Sequence, residues 1–294
     1  MKHFLIACLA LIATAVHGED TPEFKRSEDV IYGRKFGTAL TLDVFQPMKP
    51  NGAALVWVVS GGWYSSHDGI NAGFCAPFLK RGYTVFAVVH GSQPKFTISE
   101  IEPDIHRAVR FIRHNAAKFG VKPDQLGIYG GSAGGHLTLT LATQGGPGEA
   151  GAKDPVEAES SVVQCAACFF PPTDFLNYSK EGENAIGVGT LKEFKPAFGV
   201  KLDTPEEREK LGREISPIYF VHSNMPPILI IHGDADKLVP IFQSQRFVER
   251  CAAVSSPAKL IVREGKVHGW PGMDKDLEIF ADWFDEHLRH RQPK

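Results

Sequence analysis

Runs of apolar residues recur along the chain at lengths that suit β-strands. Residues 53–59 and 83–89 are apolar runs, typical of strands that are buried on both faces of a sheet. Residues 38–45 instead alternate apolar and polar side chains, which predicts a strand at the edge of the sheet. Further strands are predicted at 126–129, 162–170, 227–231 and 259–262. These segments together are expected to build one large sheet.

Helices are predicted between the strands. Ile101, Ile105, Val109 and Ile112 recur at helical spacing and would form one apolar face. Strands that alternate with helices predict an α/β fold, in which helices cover both faces of a mostly parallel sheet. Functional groups collect at the carboxyl ends of the strands in such sheets, so the loops after the strands are where chemistry is expected.

The segment Gly130-Gly131-Ser132-Ala133-Gly134 falls between the strand predicted at 126–129 and a helix predicted at 135–142. A Gly-x-Ser-x-Gly motif at a strand-to-helix turn indicates a nucleophile elbow, in which small neighbours let strand and helix approach each other. The turn would lift the hydroxyl of Ser132 clear of the sheet. The alternative is a glycine-rich turn with an idle serine, which the strand and helix on either side disfavour.

A serine hydroxyl is a poor nucleophile until a base takes its proton, and the base works best when an acid orients it. Asp236 follows the strand at 227–231, and His268 follows the strand at 259–262. The order Ser132, Asp236, His268 is the one expected for a catalytic triad in this architecture. The sequence therefore predicts an acyl-transfer site at this edge of the sheet.

Other residues compete for two of these roles. Asp234 is the alternative acid, but its place directly after Gly233 favours a turn residue that bonds nearby backbone. His136 and His232 are the alternative bases. Both lie beside glycine inside motifs, where packing roles are favoured, and neither follows the last strand.

Acyl transfer also needs donors for the negative charge that develops on the carbonyl oxygen. The backbone N–H of Ala133, directly after the nucleophile, is one candidate. The other is expected from the loop after the strand at 53–59, which reads Val59-Ser60-Gly61-Gly62-Trp63, where adjacent glycines let the backbone approach a substrate. The alternative for this loop is a tight turn with an aromatic ring packed on the core.

Residues 174–222 break the alternation of strands and helices. The segment contains four glycines at 182, 187, 189 and 199, followed by a charged stretch at 204–210. It is predicted to be an insertion or cap over the site, helical near 206–211. A plain surface excursion is the alternative.

The first 18 residues differ in kind from the rest. Lys2 and His3 precede an apolar run at 4–16 that ends in small residues, which predicts a secretory signal peptide cleaved near Gly18. The remainder, 19–294, suits a single α/β domain with no integral membrane segment and a secreted or periplasmic location. A net charge of −2 gives no electrostatic reason to expect a nucleic acid partner.

Four cysteines follow the predicted cleavage site, namely Cys75, Cys165, Cys168 and Cys251. Cys165 and Cys168 are spaced like a redox or zinc pair, but they lie in a predicted strand, where residues three apart face opposite sides. Two inert core thiols are the favoured interpretation, and no disulfide pairing can be assigned.

The motifs taken together resemble those of α/β-hydrolase esterases, particularly the secreted bacterial feruloyl and acetyl xylan esterase-like group. The resemblance extends from the segment at 42–47 through the Ser132 motif and the Asp236 loop to His268-Gly269-Trp270. Relatives commonly carry His-Gly-Gly-Gly-Trp in the oxyanion loop, whereas this chain has Val59 and Ser60 in place of the histidine and first glycine. The amides of Gly62 and Trp63 are expected to retain the function.

The resemblance implies a secreted serine esterase that removes acetyl or feruloyl groups from polysaccharide through an acyl-enzyme, with no metal or organic cofactor. The alternatives are a small-molecule esterase or amidase and a prolyl-peptidase-like hydrolase. A binding module that has lost catalysis is disfavoured, because Ser132, Asp236 and His268 are all present.

Overall fold

A computed structural model describes residues 22–199 and 202–289, so the predicted signal peptide at 1–18 lies outside the described residues. One sheet of eight strands forms the centre of this part of the chain. The strands are β1 (Phe24–Lys35), β2 (Thr38–Pro47), β3 (Ala54–Val59), β4 (Thr84–Val89), β5 (Leu126–Gly131), β6 (Cys165–Phe169), β7 (Ile228–Gly233) and β8 (Ala258–Arg263).

The strands lie side by side in the order β1-β2-β4-β3-β5-β6-β7-β8. β1 and β2 are antiparallel to each other, β2 is antiparallel to β4, and all pairs from β4 to β8 are parallel. The prediction of a mostly parallel sheet is confirmed. The prediction that residues 38–45 form an edge strand is wrong, because β1 pairs with β2 from Phe24 to Lys35 and is itself the edge.

Helices cover the sheet on both faces. They are α1 (Ala76–Lys80), α2 (Ile98–His114), α3 (Ala116–Phe119), α4 (Ala133–Gln144), α5 (Lys195–Phe198), α6 (Pro205–Ile215), α7 (Phe242–Ala253) and α8 (Met273–Arg289). One apolar core lies between the sheet and α2, α4 and α7, and a second lies between the sheet and α1 and α8. Within the described ranges, no helix is both long enough and apolar enough to cross a membrane.

The segment at 174–222 contributes α5, α6 and two 3₁₀ turns but no strand among its described residues. α6 begins with a capping box, in which Thr204 accepts a hydrogen bond from Glu207 N and the Glu207 carboxylate accepts one from Thr204 N. The predicted helix near 206–211 is therefore present and extends to Ile215. His136 of α4 donates a hydrogen bond to the Ile215 carbonyl, which ties the end of α6 to the main body.

β5 and α4 meet at Ser132 with almost no space between their backbones. A Cβ atom on Gly130 would lie 2.6 Å from the carbonyl oxygen of Gly134, and one on Gly134 would lie 2.7 Å from the carbonyl oxygen of Val58. Ser132 takes φ +54° and ψ −121°, a combination that costs energy in any residue with a side chain. The glycines therefore permit the contact that holds Ser132 in this conformation.

Gly130→Ala and Gly131→Ala form a matched pair that tests this close contact. We expect Gly130→Ala to lower the free energy of unfolding by about 1–3 kcal/mol, because the methyl group would collide with fixed backbone. Gly131→Ala adds the same methyl group with its nearest neighbour 3.6 Å away, so its unfolding free energy should stay within about 1 kcal/mol of wild type. Urea denaturation measures both, and equal stability of the two variants would contradict the packing argument.

Candidate active site

The structure brings Ser132, His268 and Asp236 together from three loops at the carboxyl ends of β5, β7 and β8. His268 Nε2 lies 2.9 Å from Ser132 Oγ, and His268 Nδ1 lies 2.7 Å from Asp236 Oδ2. Since a carboxylate only accepts, Nδ1–H donates to Asp236, and Nε2 is left to accept the proton of the serine hydroxyl. A hydroxyl, an imidazole and a buried carboxylate are thus connected in one line, which is the geometry of an activated nucleophile.

The Asp236 carboxylate is buried, yet all the contacts around it favour its charged form. Its Oδ1 atom accepts hydrogen bonds from the backbone N–H groups of Leu238 and Val239, both at 2.9 Å. Burial raises the pKa of Asp236, but hydrogen bonds from His232 and His268 outweigh burial and hold that pKa well below its usual range. The carboxylate therefore stays ionised beside His268.

The rival residues have other roles in the geometry. Asp234 Oδ1 accepts a hydrogen bond from Gly265 N at 2.6 Å, which joins the loop after β7 to the loop after β8. His232 is fully buried, and its Nε2–H donates to the Val239 carbonyl 2.8 Å away. The Nε2 atom of His232 also lies 3.3 Å from Asp236 Oδ2, a contact that the sequence did not indicate.

Gly61, Gly62, Trp63 and Tyr64 form a tight turn after β3. Gly61 and Tyr64 exchange two backbone hydrogen bonds, of 3.0 and 2.9 Å. Gly62 and Trp63 both have positive φ, +55° and +62°, as the two central residues of a type I′ turn require. Within the described chain, the N–H groups of Gly62 and Trp63 have no protein acceptor.

The side chain of Trp63 anchors this turn against α4. The indole is 2 % exposed, and its Nε1–H donates to His136 Nδ1 at 3.2 Å. Burial lowers the pKa of His136 to about 4, so at neutral pH its uncharged ring can accept from Trp63 and donate to Ile215. Ala133 begins α4 beside this contact, and the N–H of a first helical residue has no acceptor within the helix.

Phe170 covers the imidazole of His268, and sequence reasoning missed it. The two ring centroids are 4.3 Å apart, and the Phe170 backbone has φ +35°. The Phe170 ring also contacts Trp270, so His268 is held on one side by aromatic packing. An apolar residue carries no chemical signal in sequence, although its position directly after β6 places it at the same edge of the sheet as Ser132.

The segment at 174–222 packs its aromatic rings on the turn after β3. The rings of Phe175, Phe194 and Phe198 lie 5.5–6.1 Å from that of Trp63, centroid to centroid. The Phe194 ring also occupies the space beside Gly62 in which a side chain would otherwise lie. His268 nevertheless keeps 21 % of its side chain exposed, so the triad geometry remains open to solvent.

All four cysteines in the described chain are free and buried. Cys168 lies in the core that faces α4, and Cys165 lies in the opposite core that faces α8. Burial raises the pKa of both thiols well above the usual value, which keeps them protonated and unreactive. The geometry agrees with the interpretation of two inert core thiols.

Comparison with solved structures shows the fold and its relatives. A truncated form of a carbohydrate esterase from gut microbiota has a TM-score of 0.79 and 26 % sequence identity, over 92 % of this chain and 99 % of that one. A bifunctional GH43-CE protein of Bacteroides eggerthii has a TM-score of 0.75 and 25 % identity, over 90 % of this chain and 35 % of that one. The architecture is thus that of α/β-hydrolase esterases.

Comparison with curated sequences finds an esterase, LipQ of Mycobacterium tuberculosis, that is 28 % identical over 235 residues. The match covers 76 % of this chain and 52 % of that protein, so the chain spans about half the length of this relative. A model of the BD-FAE family matches residues 42–251, a range that includes Ser132 and Asp236 and ends before His268. With this match over most of its length, the chain belongs to the BD-FAE family of α/β-hydrolase esterases.

Proposed function

We propose that this protein is an exported serine carboxylic-ester hydrolase that removes acetyl or feruloyl groups from polysaccharide. The observation that carries the proposal is the position of His268 between Ser132 Oγ and Asp236 Oδ2, at 2.9 and 2.7 Å. The predicted signal peptide motivates the exported location, and 19–294 is then the mature domain, with 174–222 as its cap.

In the first half of the reaction, Ser132 Oγ attacks the ester carbonyl carbon while His268 Nε2 takes the hydroxyl proton. The carbonyl oxygen becomes an oxyanion and accepts hydrogen bonds from the N–H groups of Gly62, Trp63 and Ala133. The bond to the alcohol then breaks, and His268 gives its proton to the departing oxygen. An acyl group remains on Ser132.

In the second half, water attacks the acyl carbon and His268 accepts a proton from it. The tetrahedral intermediate collapses to the free acid, and Ser132 recovers its proton from His268. Asp236 takes no proton in either half. It holds the imidazole in the tautomer with hydrogen on Nδ1 and stabilises the imidazolium that forms twice in each cycle.

Two similarities support the choice of substrate. The truncated carbohydrate esterase aligns over nearly its whole length, and the GH43-CE protein also aligns at 25 % identity. A polymer-bound ester must reach the serine from solvent, and the partly exposed His268 side chain fits that requirement. Small soluble esters and amides are the competing substrates.

Acetate and ferulate release from arabinoxylan by residues 19–294 is the experiment that tests the proposal. We expect wild type to release at least one of the two acids and Ser132→Ala to lose turnover by about 10³-fold or more, because the variant lacks the oxygen that forms the acyl-enzyme. Labelling by a fluorophosphonate probe should fail in the same variant.

Two outcomes would count against parts of the proposal. Undiminished activity in Ser132→Ala would remove the acyl-enzyme mechanism. Probe labelling of wild type without release of either acid would keep the serine hydrolase but exclude this polymer, and soluble esters and amides would then be assayed. If wild type neither reacts with the fluorophosphonate probe nor hydrolyses any ester, the protein would instead be a binding module that has lost catalysis.

Asp236→Asn and Asp234→Asn distinguish the two candidate acids. We expect Asp236→Asn to lower kcat by about 10³–10⁴-fold, because an amide can donate to Nδ1 and favour the wrong imidazole tautomer. Asp234→Asn retains an oxygen that can accept from Gly265 N, so its kcat should stay near that of wild type. Steady-state kinetics on a p-nitrophenyl ester measures both, and a reversed order of effects would assign the role to Asp234.

A further inference from the structure

Gln93 is a buried polar residue that contacts the turn carrying two of the proposed oxyanion donors. Its side chain is 2 % exposed and lies in the loop after β4. Its Nε2 donates a hydrogen bond to the carbonyl oxygen of Gly62, and its backbone N–H donates to the carbonyl oxygen of Trp63 at 3.2 Å. One residue thus holds two successive carbonyl groups of the turn.

Because the peptide bond is planar, the hydrogen bond from Gln93 to the Gly62 carbonyl also affects the direction of the Trp63 N–H. The Gly62 carbonyl and the Trp63 N–H belong to the same peptide unit, in which the two groups point in opposite directions. A hydrogen bond that holds the carbonyl oxygen therefore also fixes the direction of the N–H. The neighbouring unit is held in the same way, because Tyr64 N donates to the carbonyl of Gly61, whose peptide unit carries the Gly62 N–H.

The orientation of the Gln93 amide follows from chemistry. A backbone carbonyl only accepts hydrogen bonds, so the NH₂ group of the side chain must face Gly62. The Oε1 atom then points into protein, where it is buried and has no hydrogen-bond partner among the described residues. An unsatisfied buried oxygen reduces stability. A side chain whose role was stability alone would not be expected to leave its buried oxygen without a hydrogen-bond partner.

Ser65 and Ser92 add further bonds between the same two loops. Ser65 N donates to Ser92 Oγ, and His90 N donates to Ser65 Oγ, each at 3.2 Å. Ser65 Oγ in turn donates to the carbonyl of Val59, at the end of β3. The turn is therefore fixed at both ends, and Gln93 is the part of this support that reaches its central peptide unit.

We propose that Gln93 is a positioning residue for the oxyanion hole, which orients the Trp63 N–H towards the carbonyl oxygen of the ester. The inference rests on the proposed function, since it assumes acyl transfer at Ser132. The hydrogen bond to Gly62 also polarises the peptide unit, so that its N–H becomes a stronger donor as charge develops.

Gln93→Met and Gln93→Glu test the role of the donor. Methionine has a similar length but no N–H. Glutamate keeps the shape and, when assayed at a pH high enough to ionise its buried carboxyl, places only acceptors against the Gly62 carbonyl. We expect both variants to lower kcat on a p-nitrophenyl ester by about 10- to 100-fold with little change in KM, since only the transition state develops the oxyanion. Affinity for a trifluoromethyl ketone, which forms a tetrahedral adduct, should fall by a similar factor.

Gln46→Met is the matched control. Gln46 Nε2 donates to the carbonyl of Phe119 at 3.0 Å, a bond of the same kind away from Ser132. This variant should keep wild-type kcat and inhibitor affinity. All four proteins are assayed at a temperature at which thermal denaturation shows each to be folded.

The two Gln93 variants also separate this inference from the proposed function. If wild type hydrolyses the ester through Ser132 while Gln93→Met and Gln93→Glu keep its kcat, the positioning role is wrong and the mechanism stands. A rise in KM without a fall in kcat would also overturn the positioning role, because that result would assign Gln93 to substrate binding. If Ser132→Ala retains full activity, the proposed function itself fails.

Discussion

A Cβ atom has no room on Gly130 or Gly134, because Gly130 lies against the carbonyl of Gly134 and Gly134 lies against the carbonyl of Val58. This backbone contact joins three elements, β3, β5 and α4, at the point where Ser132 turns from strand to helix. The rest of the candidate site depends on it. Ser132 presents its hydroxyl to His268 and Ala133 begins the helix. The loop after β3 begins beside Gly134, whose Cβ position lies 3.4 Å from the carbonyl oxygen of Ser60.

The elements with strong periodicity could be predicted from sequence, and so could the order of the proposed triad. Each of Ser132, Asp236 and His268 follows a predicted strand, and parallel strands bring such loops to one edge. β1 could not be predicted in this way, because most of its side chains are exposed and polar, and register shifts interrupt its pairing with β2. An edge strand of that composition is stabilised by its neighbour rather than by its own pattern.

The residues that pack against or bond to the candidate site also could not be predicted from sequence. Gln93 and Phe170 lie far from Ser132 in sequence and belong to no recognised motif, and their contacts exist only once β4, β5 and β6 are aligned. Asp234 and Asp236 differ by two positions along one loop, and sequence could only favour one of them. The geometry separates them, since Asp236 faces His268 while Asp234 bonds the neighbouring loop.

The hydrogen bonds of His136 have a consequence for the pH range of the molecule. The ring accepts from the Trp63 indole and donates to Ile215, so it connects the proposed oxyanion turn to the end of α6. This arrangement requires an uncharged imidazole, and the pKa of about 4 sets the acidity at which a second proton would bind. Two donors would then face each other between His136 and Trp63. Below that pH we expect the turn after β3 to lose its tryptophan anchor to α4, a change in the support of the site rather than in Ser132.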